Sequence, residues 1–231
     1  MRGLTSIRLV ALDIDGVALH DTFSPIIYNL AKRWGKEYTR DLERNVFSQP
    51  RMKAARYMID SFGLDLTETE LLDLYFQERK RYLETESGGQ VEGLEDFLHL
   101  CKEMNLPVIC YGGLDKTHFD EKMGNLAHFF EGEKYISTDS FRPGIKEIVT
   151  EYYRFHYSEV IFIDDVNKVA EEAKKFDVPF IGIPSSFEYG FQKFDMKQTG
   201  VKFILNSIRD LTEDVLRNVD EENRLGRIWK W

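Results

Sequence analysis

The chain of 231 residues carries only two cysteines and six prolines, and none of its five histidines falls in an HxH or HExxH pattern. Cys101 and Cys110 lie outside any CxxC pattern and cannot frame a disulfide-stapled fold. Both sit in apolar surroundings and are expected as buried free thiols of a reducing compartment. His20, His99, His118, His128 and His156 are too scattered for a zinc site. Positive charge is also scarce: 31 Lys and Arg face 40 Asp and Glu, a net charge of −9. Such a surface repels phosphodiester backbones, which excludes nucleic acid as a general partner. No apolar run approaches membrane-spanning length. The one near the start, Leu9–Leu12, is cut by Asp13, so neither a membrane span nor a secretory leader is expected, and a cytoplasmic protein is. What remains is ordinary for a soluble globular protein: 42% hydrophobic and 31% charged residues, enough chain for a core domain with a smaller insert.

Short apolar runs alternate with helical patterns. The runs are Ile7–Leu12, Pro107–Cys110, Val160–Ile163 and Pro179–Ile183, with a weaker one at Val201–Leu205. Each is short enough for a buried strand. Between them Leu94, Phe97, Leu98, Cys101 and Met104 recur at helical spacing before Pro107, as do Val169, Ala170, Ala173 and Phe176. Strands alternating with helices predict an α/β fold: a parallel sheet with helices on both faces. The interval between the first and second strands is unusually long. It reads as four helices, about 23–34, 39–47, 51–62 and 67–84, the last opened by a Thr67/Glu70 capping box and followed by Ser87-Gly88-Gly89. Helices inserted after the first strand would lie over the carboxyl ends of the strands, where open α/β sheets bind ligands. The expected division is a core of residues 1–18 and 90–231 with a helical cap of residues 19–89, hinged near 17–22 and 87–91.

Two acidic pairs carry the chemistry. Asp13-Ile14-Asp15-Gly16 ends the first apolar run and Ile163-Asp164-Asp165 ends a later one. Gly16 permits a tight turn and a close approach. Each pair alone reads as a turn or helix cap. Two pairs at the carboxyl ends of two strands predict a metal site, because carboxylates 4 Å apart repel by about 4 kcal/mol at an effective dielectric of 20 and a hard, oxygen-seeking cation such as Mg2+ offsets that repulsion.

In these segments the chain resembles the haloacid dehalogenase (HAD) superfamily. The DIDGV segment after a strand looks like its first motif, VEGLEDFLHLCKEMNLPVICYGG resembles the helix and strand carrying the second, TDSFRPGIKEIV the region of the third, and VIFIDDVNKVAEEAKKFDVPFIGIP the fourth. The order is preserved over about residues 5–185. The resemblance implies a Rossmann-like core with a helical cap and roles for individual residues. Asp13 is the nucleophile, which becomes an aspartyl phosphate, and Asp15 the acid and then base. Mg2+ is held by Asp13, the main-chain carbonyl of Asp15 and Asp164, with Asp165 as further ligand or support. An acid at the position of Asp15 separates phosphatases and phosphomutases of the family from its dehalogenases and phosphonate-cleaving members, which lack one.

The chain departs from the family at three places. Where the second motif has Ser or Thr, Tyr111 or Gly112 stands here, followed by Gly113. The glycines can offer main-chain amides to an anion or form a plain turn, and Tyr111 can donate from farther out. The third-motif lysine is replaced by Arg142 of Arg142-Pro143, with Lys146 the competing candidate. In the fourth motif Lys168 stands where an acid or Asn is usual. The implied activity is Mg2+-dependent hydrolysis of a small phosphorylated metabolite through an aspartyl phosphate. A phosphomutase, or a degenerate binding or regulatory protein that keeps the fold, is the alternative. Arg51, Lys53 and Arg56 are expected on a solvated face. Phe187, Tyr189, Phe191 and Phe194 are expected over a core edge, and Trp229 and Trp231 docked on the domain or a partner. Neither substrate identity nor oligomeric state is legible.

Overall fold

The structure, a computed structural model, describes residues 3–230; Trp231 lies outside them. Six parallel strands form one sheet in the order β3-β2-β1-β4-β5-β6. They are β1 (Leu9–Asp13), β2 (Val108–Gly112), β3 (Phe130–Ser137), β4 (Val160–Asp164), β5 (Phe180–Gly182) and β6 (Phe203–Ile204). Strand alternation sends Val10 and Leu12 to one face, where they pack with Leu94, Phe97 and Leu98 of α5 (Leu94–Glu103), Phe119 of α6 (Lys116–Met123) and Val219 of α9 (Glu213–Arg224). Leu9 and Ala11 face the other way, against Val169 and Ala170 of α7 (Asn167–Lys175) and Met196 of α8 (Gln192–Thr199). Both faces are covered, which is why β1 and β4 are buried along their whole length.

One strand escapes the sequence reading. Phe130–Ser137 forms β3 at the sheet edge, with Glu131, Gly132, Glu133 and Lys134 exposed. Charged residues suit an edge strand but hide its periodicity. Gly132 and Lys134 have positive φ, and the register to β2 shifts between Val108 and Cys110, so the strand is bulged as well as charged.

Four consecutive helices connect β1 to α5: α1 (Phe23–Arg33), α2 (Arg40–Val46), α3 (Arg51–Phe62) and α4 (Glu68–Tyr82). The capping box at Thr67 and Glu70 is formed. These helices share an apolar core built on Ile27, Ala31, Leu42, Val46, Met58 and Leu71. They also grip the α8 region. The fully buried Glu43 carboxylate accepts from the Phe191 and Gln192 amides and from Tyr38, while Arg40 and Arg44 reach the buried Asp195. Phe187 and Tyr189 pack on Tyr28 and Tyr38, so the aromatic loop meets the inserted helices rather than a core edge. Trp229 docks on the core, donating from Nε1 to the Val178 carbonyl. No helix among the described residues is long and apolar enough to cross a membrane.

The entry to β1 is fixed from a distance. Asp220 of α9 is buried and accepts the main-chain N–H groups of Thr5, Ser6 and Ile7 at 2.7, 2.9 and 2.8 Å. Substituting Asp220→Ala leaves three donors without their charged acceptor. The unfolding free energy in urea should drop by about 3 kcal/mol with an unchanged m-value; a loss under about 0.5 kcal/mol would show that the clamp is dispensable.

Candidate active site

The register of the sheet brings the acidic pairs together. In the β1–β4 ladder Leu12 lies opposite Ile163, so Asp13 and Asp164 are next in line on strands about 4.8 Å apart. The following loops touch. A Cβ built on Gly16 (φ +107°) would sit 2.2 Å from a carboxylate oxygen of Asp165, so this turn accepts no side chain. Asp13, Asp164 and Asp165 are 4%, 1% and 5% exposed, and all three carboxyls titrate above the ordinary carboxylate range. Burial is the first cause for each. Neighbouring negative charge adds to it for Asp13, through Asp164, Asp165 and Asp15, and for Asp165, through Asp164 and Asp21. Arg142 opposes the rise at all three.

Arg142 reaches the carboxylates because Gly113 leaves room. A Cβ on Gly113 would lie 2.0 Å from a terminal guanidinium nitrogen of Arg142. The same guanidinium donates from Nε to Ser48 at 3.4 Å. Lys146 is exposed, outside the walls of the cavity described below, so of the two third-motif candidates only the arginine enters the site. Gly112 has a different reason for lacking a side chain: its Cβ would meet Ile14 at 2.4 Å.

Tyr111 departs from the sequence expectation. It lies opposite Asp13 in the β1–β2 ladder but is wholly buried on the α7–α8 face. Its hydroxyl donates to Asp164, whose other oxygen accepts the Val166 N–H at 2.7 Å. Tyr111 therefore braces a carboxylate from below and is not open to an incoming anion.

Asp15 stands apart from the buried three. It is about one-quarter exposed, accepts a hydrogen bond from or donates one to His118 Nε2 at 2.9 Å, and has Arg79 of α4 at 4.0 Å. Sequence reasoning treated His118 only as a failed zinc ligand and did not single out Arg79. A signal for His118 existed: it stands in the first turn of a helix that starts just past the carboxyl end of β2, capped by Asp115. Arg79 carried none, because a basic residue in the last turn of a long helix is commonplace. Arg51 turns out to line the cavity and pairs with Asp139 through both its N–H and its guanidinium, whereas Lys53 is exposed and Arg56 pairs with Glu68.

A cavity of about 130 Å³ opens above these groups. Asp13, Asp15, Asp165, Gly113, Arg142 and Arg79 line it at the strand ends, and α1–α4 roof it. The donor set is all oxygen, which suits a hard divalent cation. No three His, Cys, Asp or Glu side chains among the described residues form a ready cage. Where a cation is held by only one or two carboxylates, as magnesium commonly is, water and substrate oxygens complete its shell.

With this geometry in view, known structures of the same shape can be set beside it. A HAD hydrolase of family IA, variant 3, from Entamoeba histolytica aligns with a TM-score of 0.69 at 16% identity, covering 93% of this chain and all of that one. A phosphonoacetaldehyde hydrolase-like protein from Oleispira antarctica gives 0.69 at 16% identity over 98% and 97% of the two chains. A β-phosphoglucomutase from Clostridium difficile gives 0.65 at 14% identity over 95% and 99%. The chain has the haloacid dehalogenase fold. Its sequence matches no protein-family profile. The HAD-fold neighbours differ in the reactions their names describe, so the chemistry of this chain rests on its own side chains.

The crowding predicts a stability signature. Carboxyls raised above their unfolded values hold protons in the folded state that the unfolded chain has released, so their contribution falls as pH rises from about 4 through the folded values. Neutralising one of them removes part of that loss. In metal-free buffer Asp13→Asn should melt about 3 °C above wild type at pH 8, with the gap narrowing towards pH 4. A gap of the same size at both pH values would show that charge is not its source.

Proposed function

We propose that the protein is a magnesium-dependent phosphohydrolase acting on a small phosphate monoester through an aspartyl-phosphate intermediate. The observation that carries this reading is the meeting of Asp13, Asp164 and Asp165 at adjoining strand ends, opposite the Arg142 guanidinium. Three buried carboxylates facing one guanidinium leave an excess of negative charge that only added positive charge offsets.

A magnesium ion held by Asp13, Asp164 and the main-chain carbonyl of Asp15 would supply charge neutralisation between nucleophile and phosphoryl oxygens. Asp13 attacks phosphorus in line, forming the Asp13 Oδ–P bond as the bond to the ester oxygen breaks. Asp15 gives that oxygen its proton, then takes one from the water that cleaves the acyl phosphate and restores Asp13. His118 and Arg79 position the Asp15 carboxylate, and Asp165 supports the turn at Gly16. The segment 19–89 is the cap and residues 1–18 with 90–231 the core. An acid at position 15 favours ester cleavage over dehalogenation or phosphonate cleavage, because an alkoxide leaving group needs a proton and a halide does not.

Arg142 takes the place of the usual lysine, and Gly113 leaves the room it needs. The fork of Arg142 offers two donors to the phosphoryl oxygens from a position a side chain at 113 would occupy. The main-chain amides after Gly112 complete the anion site.

Hydrolysis of p-nitrophenyl phosphate in Mg2+, tested with Asp13→Asn, decides the reading. Activity should be lost in EDTA and fall at least about 1,000-fold in the variant, a loss of about 4 kcal/mol of transition-state stabilisation. Absence of turnover across a phosphate-ester panel, with Mg2+-independent ligand binding, would favour a binding protein instead. In an active enzyme, Gly113→Ser should lower kcat/KM about 100-fold by displacing the guanidinium. Unchanged kinetics would separate Gly113 from Arg142.

A further inference from the structure

The cavity over the strand ends has two unlike halves. Polar groups line its floor, where Asp15 and Thr22 each stand in reach of Arg79 and Asp13, Asp165 and Arg142 adjoin them, and a second set, Ser48, Gln49 and Arg51, lines one edge from the α2–α3 connection and the start of α3. Above that floor the walls are formed by Ile27, Leu30, Val46, Met58, Leu71 and Tyr75 from all four inserted helices. Several of these belong to the apolar core that α1–α4 share. The space therefore runs from the carboxylates into the middle of a helical bundle, where a globular protein ordinarily packs side chains without voids. Two small residues on the inner face of α3 leave it open. Ala54 and Ala55 line the cavity, while Met58, Ile59 and Phe62 of the same helix are buried in the bundle.

Resting on the hydrolase reading above, we infer that the leaving group is a compact apolar alcohol, an aryl or short alkyl group, seated among α1–α4, and that the substrate is not a sugar phosphate. Volume limits it: the whole cavity is about 130 Å³, less than the roughly 150 Å³ of a dry cavity that takes up benzene, and the phosphoryl group shares it, so only a compact leaving group fits. Chemistry fits as well. A hexose would carry several hydroxyls into walls that offer few partners, and burying unpaired hydroxyls is costly. An aromatic ring or alkyl chain loses nothing there. The free carboxylate oxygen of Asp21, buried without a partner, belongs to the polar floor and places one acceptor beside the reacting centre rather than along the walls.

The test combines turnover with direct binding. Wild-type protein in Mg2+ should show a kcat/KM for phenyl phosphate about 100-fold above that for glucose 6-phosphate. Calorimetric titration should detect 4-methylphenol, which has no phosphate to cleave. Ala55→Leu, checked for its fold by circular dichroism, fills the space and should weaken 4-methylphenol binding about tenfold or more. Ala54→Leu serves if Ala55→Leu does not fold. A preference for glucose 6-phosphate, or failure of wild-type protein to bind 4-methylphenol, overturns the chamber assignment and leaves the hydrolase reading standing. Binding of 4-methylphenol that Ala55→Leu weakens, with no ester cleaved, supports the chamber and counts against the hydrolase.

Discussion

Three carboxylates buried at adjoining strand ends, where their charges bear on one another, are the constraint around which the rest of the molecule is arranged. Asp13, Asp164 and Asp165 would each be more comfortable in water, and each raises the cost of ionising another. The fold holds them by devices that act on the backbone rather than on the charges. β1 and β4 are adjoining central strands with complete apolar faces, Gly16 lets one loop press against Asp165, and Tyr111 braces Asp164 from beneath. Apolar packing on both sides of the sheet supplies the stability that the carboxylates withdraw. This is the usual bargain of a strained site placed on rigid elements.

The departures from the family pattern become one feature once their geometry is considered together. A side chain at position 113 and an arginine at position 142 compete for the same space, so the glycine and the guanidinium imply each other. Read one at a time along the chain, each looks like the loss of a motif. Read together, the glycine makes room for one planar fork with several donors in place of an ammonium. The change also ties the site to the inserted helices, since the guanidinium reaches Ser48 in the connection between α2 and α3.

Periodicity and end signals made the central elements legible. The runs at Ile7–Leu12 and Val160–Ile163 are apolar because both faces are covered, and the Thr67/Glu70 box marks a helix start through main-chain hydrogen bonds that are local in sequence. What stayed hidden depends on contacts distant in sequence. β3 carries its charges outward at an edge and bulges at Gly132 and Lys134, which erases the alternation that marks a strand. Tyr111 stood at the right strand end, yet the direction of its ring follows from which sheet face it shares with Ile109. His118 and Arg79 meet at Asp15 only because β2 and α4 bring them there from opposite sides, and no local pattern encodes that meeting. The sequence offers Arg142 first, with Lys146 as its competitor; the exposure of Lys146 separates them.

A shared fold at 14–16% identity fixes where a reaction can take place and leaves open which one. In this chain the sheet supplies the strand ends and Asp13, and α1–α4 supply the roof. Here the roof is held on two sides, by Glu43, Arg40 and Arg44 on the α8 region and by Arg51 on Asp139. Charged anchors at the rim and apolar side chains inside produce a chamber whose walls are largely apolar between its polar floor and the edge at Ser48, Gln49 and Arg51. Apolar walls disfavour water in the space over the strand ends, and a site closed to solvent strengthens the electrostatic contacts beneath it. Selectivity and reactivity then share one cause, the exclusion of water by α1–α4 from a site that β1 and β4 have already charged.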